Sequence, residues 1–205
     1  MKKRFVMFYL IVVAAGTFIV TLANFIFTEV HTLRVFGEIL FSALGAVALL
    51  FLIDAITAFL VRRLPEKWFA PEAALFTVTP AERKIYRKLK INSWKKYVPE
   101  WGCFTGFHKD KVRQPDSSAY IGRFLIESNY GVAGHIVGAV FGFIIMFLPC
   151  FRPFALALPL AAVNFLLGIL PTMILRSNTP PLRALYRKNV ERERKYEIKK
   201  NDAKF

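Results

Sequence analysis

The sequence is poor in cysteine and contains no complete set of structural zinc ligands. Of its 205 residues, two are cysteine and three are histidine. Cys103, His108 and Asp110 lie close together in the chain, but a structural zinc site needs four ligands, and no second cysteine or histidine pair completes one. We therefore interpret these three as loop residues and expect neither a metal ion nor a bound cofactor.

A glycine-rich nucleotide-binding loop is also missing. Gly102 and Gly106 are not flanked by the predicted strand and helix that such a loop requires. This argues against a nucleotide-dependent reductase or methyltransferase of the soluble type. Membrane-embedded methyltransferases do not need that loop, so another lipid-modifying membrane enzyme stays open as an interpretation.

Charged residues are scarce in four long stretches, and 55% of all residues are hydrophobic, which leaves too little polar surface for a soluble globule. Each stretch has the length of roughly 20 residues that a helix needs to cross a bilayer core of about 30 Å. The first stretch is too long for the apolar region of a signal peptide, so we expect it to remain as a helix. We predict an all-α integral membrane protein with four transmembrane helices, at Phe5–Phe27, Ile39–Val61, Val132–Leu148 and Phe154–Leu175.

Acidic residues are outnumbered by basic ones, 14 against 29, which gives a net charge of +15. With the N-terminus in the cytoplasm, only Arg34 and Arg152 fall outside, in accord with the positive-inside rule. We predict a multi-pass protein of the cell membrane with both termini cytoplasmic. In this topology Cys103 and Cys150 lie on opposite sides and cannot form a disulfide. Anionic headgroups account for the basic charge, so we expect membrane lipids as partners and no nucleic acid.

This topology divides the chain into four parts: residues 1–61 with the first two helices, a cytoplasmic interfacial segment 62–131, residues 132–175 with the last two helices, and a basic tail 176–205. In the interfacial segment, Thr79-Pro80-Ala81-Glu82 is a capping box with proline at the first helical position. The helix should run to about Lys96, and its basic amphipathic pattern favours an anionic membrane surface. Asp116 and Ser117 predict the start of another helix.

The end of the fourth helix carries a different signal. Residues 176–183, with Pro180 and Pro181, indicate a rigid polar turn at the membrane surface. The tail beyond it is highly charged, which is typical of a solvated helix or of disorder.

Two polar residues within the apolar stretches stand out, because a charge in mid-membrane needs a partner or a purpose. Asp54 lies two turns before Arg62 and can either pair with a basic neighbour or serve as a site carboxylate. Asn164 is typical of a residue that forms hydrogen bonds between helices.

His135 lies near the start of the third predicted helix, where an imidazole can act as a base near neutral pH or serve only as a hydrogen-bond donor. Glu127 follows Arg123 at the i,i+4 spacing of a helical ion pair. On a continuous helix, Glu127 and His135 are about 12 Å apart. Gly131 and Gly134 could break the helix and bring them together.

Short, spaced motifs between residues 85 and 186 resemble those of a known family. They are Trp94-Lys95, Val98-Pro99-Glu100, Arg123, Glu127-Ser128, His135, and Arg176 with Asn178 and Pro180. On these residues the chain resembles the glycosyl diaponeurosporenoate acyltransferases, which act late in staphyloxanthin-type carotenoid synthesis in bacteria.

The resemblance implies transfer of a fatty acyl group to a sugar hydroxyl of a membrane-embedded, glycolipid-like acceptor at the cytoplasmic face. His135 would be the base that takes the hydroxyl proton, and Glu127 its orienter. The acyl donor would be a co-substrate such as acyl-CoA, with its chain in a slot beside glycines 138, 142 and 168. The expected substrate-binding residues are Trp94, Lys95, Arg123, Arg176 and Asn178.

The chain departs from the family pattern at two positions. A second glutamate that precedes the histidine by three residues is replaced by Val132, and an arginine that often follows the proline is replaced by Pro181. If either missing group carries chemistry, this chain uses another acceptor or lacks the activity. The alternative from another class is a small non-catalytic membrane protein that docks on a partner through its basic helix.

Overall fold

The computed structural model describes residues 2–98 and 112–202. In these ranges every regular element is helical and no strand occurs. The α-helices described are α1 (Lys2–Ile26), α2 (Leu33–Arg62), α3 (Pro80–Lys88), α4 (Ile91–Trp94), α5 (Ser118–Phe141) and α6 (Leu158–Asp202). Short 3₁₀ turns cover Glu66–Phe69, Ala74–Phe76, Lys95–Tyr97, Gly142–Phe147 and Pro149–Phe151, and a π-helical turn covers Pro153–Ala157.

Within the described ranges, three helical stretches are long and apolar enough to cross a membrane. They are Leu33–Arg62, Ser118–Phe147 and Phe154–Asp202. A shorter apolar stretch, Leu10–Ile26, lies in α1. The predictions of an all-α fold and of a membrane protein are therefore confirmed.

The described chain folds into two compact units. The first comprises residues 2–63, 96–98 and 133–172. One face of α2 packs into the core of this unit. The buried residues of this face follow one another at helical spacing: Ile39, Ala43, Ala46 and Leu50. Apolar side chains on other faces of α2 stay exposed, for example Phe41 at 79%. Such exposure is expected of a helix whose outer surface meets lipid.

The second unit comprises residues 64–95, 112–132 and 173–202. Ile121 and Leu125 of α5 pack with Leu182 of α6 in its core. The chain between α2 and α3 is tied to α5, because the Asn129 amide donates to the carbonyls of residues 69 and 70 at 3.0 and 3.3 Å. Tyr130 adds a ring stacked on Phe69 at 3.8 Å.

The capping box is confirmed as the start of α3. Thr79 Oγ1 accepts from the backbone N–H of Glu82 at 3.1 Å, and Pro80 occupies the first turn. The helix is shorter than predicted, however, because Lys90 takes a left-handed conformation with φ of 49°. The chain then forms α4 and a 3₁₀ turn instead of continuing α3 to Lys96.

Two other predicted boundaries differ from the structure. The helix start predicted at Asp116 and Ser117 is correct, but this helix is not separate from the third apolar stretch, since α5 runs unbroken from Ser118 to Phe141. The polar turn predicted for residues 176–183 is wrong, because α6 continues through both prolines to Asp202.

Tertiary contacts explain the continuation of α6. Each proline removes one backbone donor from the helix. Beyond the prolines, Arg183 donates to Thr77 and Ala73, and the Asn189 amide donates to the Pro115 carbonyl at 2.7 Å. These contacts hold the following turns of α6 against the rest of the second unit, and they are invisible in the local sequence.

Candidate functional site

In the second unit, Arg176 of α6 binds the carboxylate of Glu82 in the first turn of α3. Arg176 Nε and Nη2 donate to Glu82 Oε1 and Oε2 at 2.5 and 2.7 Å, and Nη2 also reaches the Thr77 carbonyl at 3.3 Å. The two side chains are mostly buried, with 17% and 20% of their surface exposed. A two-point contact of this kind fixes the orientation of both groups.

The contacts and burial around this ion pair shift the pKa values of Glu82 and Tyr86. The hydrogen bonds from Arg176 hold the pKa of Glu82 below its ordinary value of 4.5. Tyr86, one turn further along α3, donates its hydroxyl to Glu82. Burial, together with this carboxylate, raises the pKa of Tyr86 to about 12. At neutral pH Glu82 is therefore ionised and Tyr86 protonated, as the contact requires.

Two further arginines of α6 bind the chain just before α3. Arg183 donates from Nη1 to Thr77 Oγ1 at 2.7 Å and from Nη2 to the Ala73 carbonyl at 2.9 Å. Arg187 binds Glu72 at 2.9 and 2.5 Å, and these hydrogen bonds lower the pKa of Glu72. Positions 176, 183 and 187 share one face of α6, so this face carries a row of arginines that holds residues 72–82.

Arg123 joins α5 to the beginning of the chain between α2 and α3. Its Nη1 donates to Glu66 Oε2 at 2.7 Å and its Nη2 to Glu127 Oε1 at 2.6 Å. The ion pair predicted from the i,i+4 spacing of Arg123 and Glu127 is thus confirmed. Glu127 is the more buried partner, with 8% of its side chain exposed against 48% for Arg123.

The remaining predicted substrate-binding residues of the second unit have few contacts with one another. The Trp94 indole N–H donates to the Leu89 carbonyl at 2.9 Å. Lys95 begins the 3₁₀ turn that follows α4. Asn178 lies half-buried in the middle of α6. Pro99 and Glu100 of the predicted motif, and the Cys103, His108 and Asp110 group, lie outside the described residues.

In the first unit, a polar group lies among apolar helices. Asp54 Oδ1 of α2 accepts a hydrogen bond from Asn164 Nδ2 of α6 at 3.3 Å. The prediction that Asn164 bonds between helices is confirmed. The carboxylate also lies against α5 at Gly138, where an added Cβ would come within 2.6 Å of Asp54 Oδ1. Three helices therefore meet at this carboxylate.

The glycines of the first unit do not leave the apolar slot that we expected. A Cβ at Gly142 would lie 2.8 Å from Asn164 Nδ2, and one at Gly168 would lie 3.0 Å from Ala139 Cβ. The space beside Gly138, Gly142 and Gly168 is already filled by atoms of neighbouring helices. These glycines instead allow close helix packing, as small residues do in membrane proteins.

His135 lies on α5 one turn before Gly138 and is half-buried. Its carbonyl oxygen would be 3.1 Å from a Cβ at Gly168, so α5 and α6 approach closely at this turn. No described residue forms a hydrogen bond with the imidazole ring. Since α5 is continuous, Gly131 and Gly134 do not interrupt the helix between Glu127 and His135.

Residues 65–188, more than half of the chain, match the model of the glycosyl-4,4'-diaponeurosporenoate acyltransferase family. The chain belongs to this family. The prediction of an acyltransferase from a family of carotenoid biosynthesis is thereby confirmed. No curated protein and no solved structure matches the chain significantly.

The part of this acyltransferase that matches the family includes all the site residues predicted from the resemblance, from Trp94 to Asn178. It also includes Glu82, Arg183 and Asn164, whereas Asp54 lies outside it. Sequence reasoning identified Glu82 only as a capping residue and did not single out Arg183. An acidic residue at the third helical position is common to all capping boxes, so nothing local indicated that its partner would be 94 residues away.

Proposed function

We propose that this acyltransferase transfers a fatty acyl group to a hydroxyl of a glycosylated, membrane-embedded lipid of the carotenoid type. The family match over residues 65–188 carries this proposal. The apolar helices support it, because both the acyl chain and the acceptor would reside in the membrane. Acyl-CoA is the proposed acyl donor and acts as a co-substrate.

In the proposed reaction, His135 removes the proton of the acceptor hydroxyl. The hydroxyl oxygen then attacks the thioester carbonyl, the new C–O ester bond forms, the C–S bond breaks, and the thiol leaves with a proton. An imidazole whose ring nitrogens have no partner among the described residues suits this task, because neither nitrogen must first release a hydrogen bond. Glu127 is also proposed to take part in catalysis, but it does not orient His135 by direct contact, because it lies about two turns away on the continuous helix α5.

The reaction requires hydrogen-bond donors from the protein as well as a base. They would stabilise the negative charge that develops on the thioester carbonyl oxygen and bind the phosphates of acyl-CoA. Trp94, Lys95 and Asn178 are proposed to bind the acyl donor or the acceptor. The resemblance includes Arg123 and Arg176 in this set. Each of these two arginines already donates to carboxylates, which fixes the direction of its guanidinium.

The proposed topology has four spans, with α1 as the first, and both termini in the cytoplasm of a bacterial cell. It puts the interfacial segment with α3 at the cytoplasmic face, where a soluble acyl donor is available. The basic residues support this orientation, because all but Arg34 and Arg152 would then be cytoplasmic. Membrane lipids are the proposed partners.

Separate His135→Ala and Glu127→Ala variants test the chemistry. We expect His135→Ala to lower the acylated product by about 10²-fold to 10⁴-fold, the usual contribution of a general base. The product is measured by mass spectrometry of lipid extracts from cells with and without the gene. Unchanged product from folded His135→Ala protein would remove His135 from the mechanism.

Matched controls are available within the chain. Arg34 and Glu38 form an i,i+4 pair like that of Arg123 and Glu127, but they are exposed and lie outside the matched region. Glu38→Ala and His31→Ala should therefore leave the amount of product unchanged. If they lower it as much as the site variants do, general destabilisation explains the loss.

Cys150 tests the topology. It is exposed in the 3₁₀ turn Pro149–Phe151, and the proposed topology puts this turn outside the cell. In a Cys103→Ser variant it is the single cysteine. We expect a membrane-impermeant maleimide to label this variant in intact cells. Labelling only after the cells are opened would reverse the proposed orientation.

A further inference from the structure

Among the described residues, two side chains of helix α3 are turned toward the rest of the second unit. Glu82 and Tyr86 are the half-buried residues of Pro80–Lys88, and every other residue of the helix is exposed. They are four positions apart and thus share one face. Ile85 and Leu89, at 54% and 48% exposure, are not part of the described core.

A nine-residue helix without buried apolar residues is marginal by itself. Val78 and Ile91 on either side of the helix are buried and hold its ends. Between them, the two-point contact between Glu82 and Arg176 is the polar contact that fixes the helix itself. The lowered pKa of Glu82 agrees with a carboxylate that is held in its charged form. Arg176 belongs to the motif on which the resemblance to the family rests, whereas no role has been given to Glu82.

We propose that Glu82 is a positioning residue for acyl transfer: by binding Arg176 it holds α3 in place beside α6. This inference depends on the proposed function for its effect on the product. It gives Arg176 a role that differs from the substrate contact implied by the resemblance, because its guanidinium acts on α3 through Glu82. The basic residues Arg83, Lys84, Arg87 and Lys88 are then presented on the exposed sides of a fixed helix.

The test uses the full chain in membrane vesicles and two separate measurements. One is the acylated product, by mass spectrometry. The other is tryptic cleavage at the four basic residues of α3, which reports the position of the helix and does not depend on activity. We expect Glu82→Ala and Arg176→Ala to speed this cleavage and to lower the product by similar factors, each about tenfold to a hundredfold, the usual effect of losing charged hydrogen bonds.

The charge-exchanged variant Glu82→Arg with Arg176→Glu separates positioning from substrate binding. If the pair only positions α3, the exchange should restore both protease protection and product to within about tenfold of the natural chain. If protection returns without product, Arg176 contacts the substrate and the proposal is wrong. Unchanged cleavage and product in Glu82→Ala would also overturn it. Should the exchanged pair fail to fold, Glu82→Gln, which keeps the acceptor oxygen, should recover part of both signals.

Glu72→Ala is the matched control. Glu72 also binds an arginine of α6, but its side chain and that of Arg187 are 43% and 68% exposed. Solvent screens such a pair, so its loss should leave cleavage of α3 and product nearly unchanged. If the natural chain forms no acylated product, the proposed function fails, while the cleavage measurement still decides whether Glu82 holds α3.

Discussion

The carboxylate of Asp54 in α2 accepts a hydrogen bond from the side-chain amide of Asn164 in α6 at 3.3 Å. The two residues are 110 positions apart in sequence and lie in apolar stretches of different helices. An ionisable residue in such a place requires a partner, because lipid cannot solvate it. This contact therefore ties α2 to α6. Substitutions around Asp54 that disturb it should lower the stability of the first unit.

Gly138→Ala should destabilise the first unit. Its Cβ would lie 2.6 Å from Asp54 Oδ1 and 3.2 Å from Thr57 Oγ1, so the carboxylate would have to leave its position. Such overpacking typically costs about 1–3 kcal/mol. Thermal unfolding in detergent measures the change. Gly37→Ala in α2 is the control, since nothing lies within 4 Å of its Cβ, and it should be neutral or slightly stabilising.

Asn164→Ala should also destabilise the protein, by about 1–3 kcal/mol, because it leaves a partly buried carboxylate without this donor. Removing both partners in an Asp54→Ala, Asn164→Ala double variant should recover part of that loss. The double-mutant cycle is measured by unfolding in detergent. Strictly additive effects would show that the two side chains do not interact.

Arg183→Lys should destabilise the second unit although the charge is kept. Arg183 is 7% exposed and uses two nitrogens for two acceptors, Thr77 Oγ1 and the Ala73 carbonyl. A lysine ammonium is a single point and cannot reproduce this fork. We expect a loss of about 1–3 kcal/mol, measured by unfolding in detergent. Arg187→Lys, whose side chain is exposed, should have little effect, and an equal loss in both variants would contradict this account.

Protection of α3 should depend on pH through Glu82. The pKa of Glu82 is lower in the folded protein than its ordinary value of 4.5, so its contribution to stability is fully present above pH 4.5. The contribution is lost as the pH falls through the lowered pKa of the folded state. The hydrogen-exchange rates of α3 are first corrected for the intrinsic pH dependence of exchange. The corrected rates should stay constant between pH 7 and 5 and should increase below pH 4.5, where Glu82 becomes protonated. Glu82→Gln should remove the acid transition.

Local signals were sufficient to predict several elements of the fold. The apolar stretches identified the long helices, because a helix satisfies its backbone hydrogen bonds within a single segment in lipid. Thr79 and Pro80 set the start of α3, since the cap depends on residues only three positions apart. The family motifs predicted the acyltransferase class. None of these inferences required a contact between distant parts of the chain.

The tertiary structure decided what local signals could not. Pro180 and Pro181 are stop signals in any sequence window, yet α6 passes through them because Arg183 and Asn189 have partners elsewhere in the second unit. The partners of Asp54 and Glu82 are 110 and 94 residues away, respectively. The sequence by itself determined which segments are helical and apolar, since these properties depend on neighbouring residues. Only the fold decided which distant polar groups meet, because many arginines could have paired with Glu82 and packing selected Arg176.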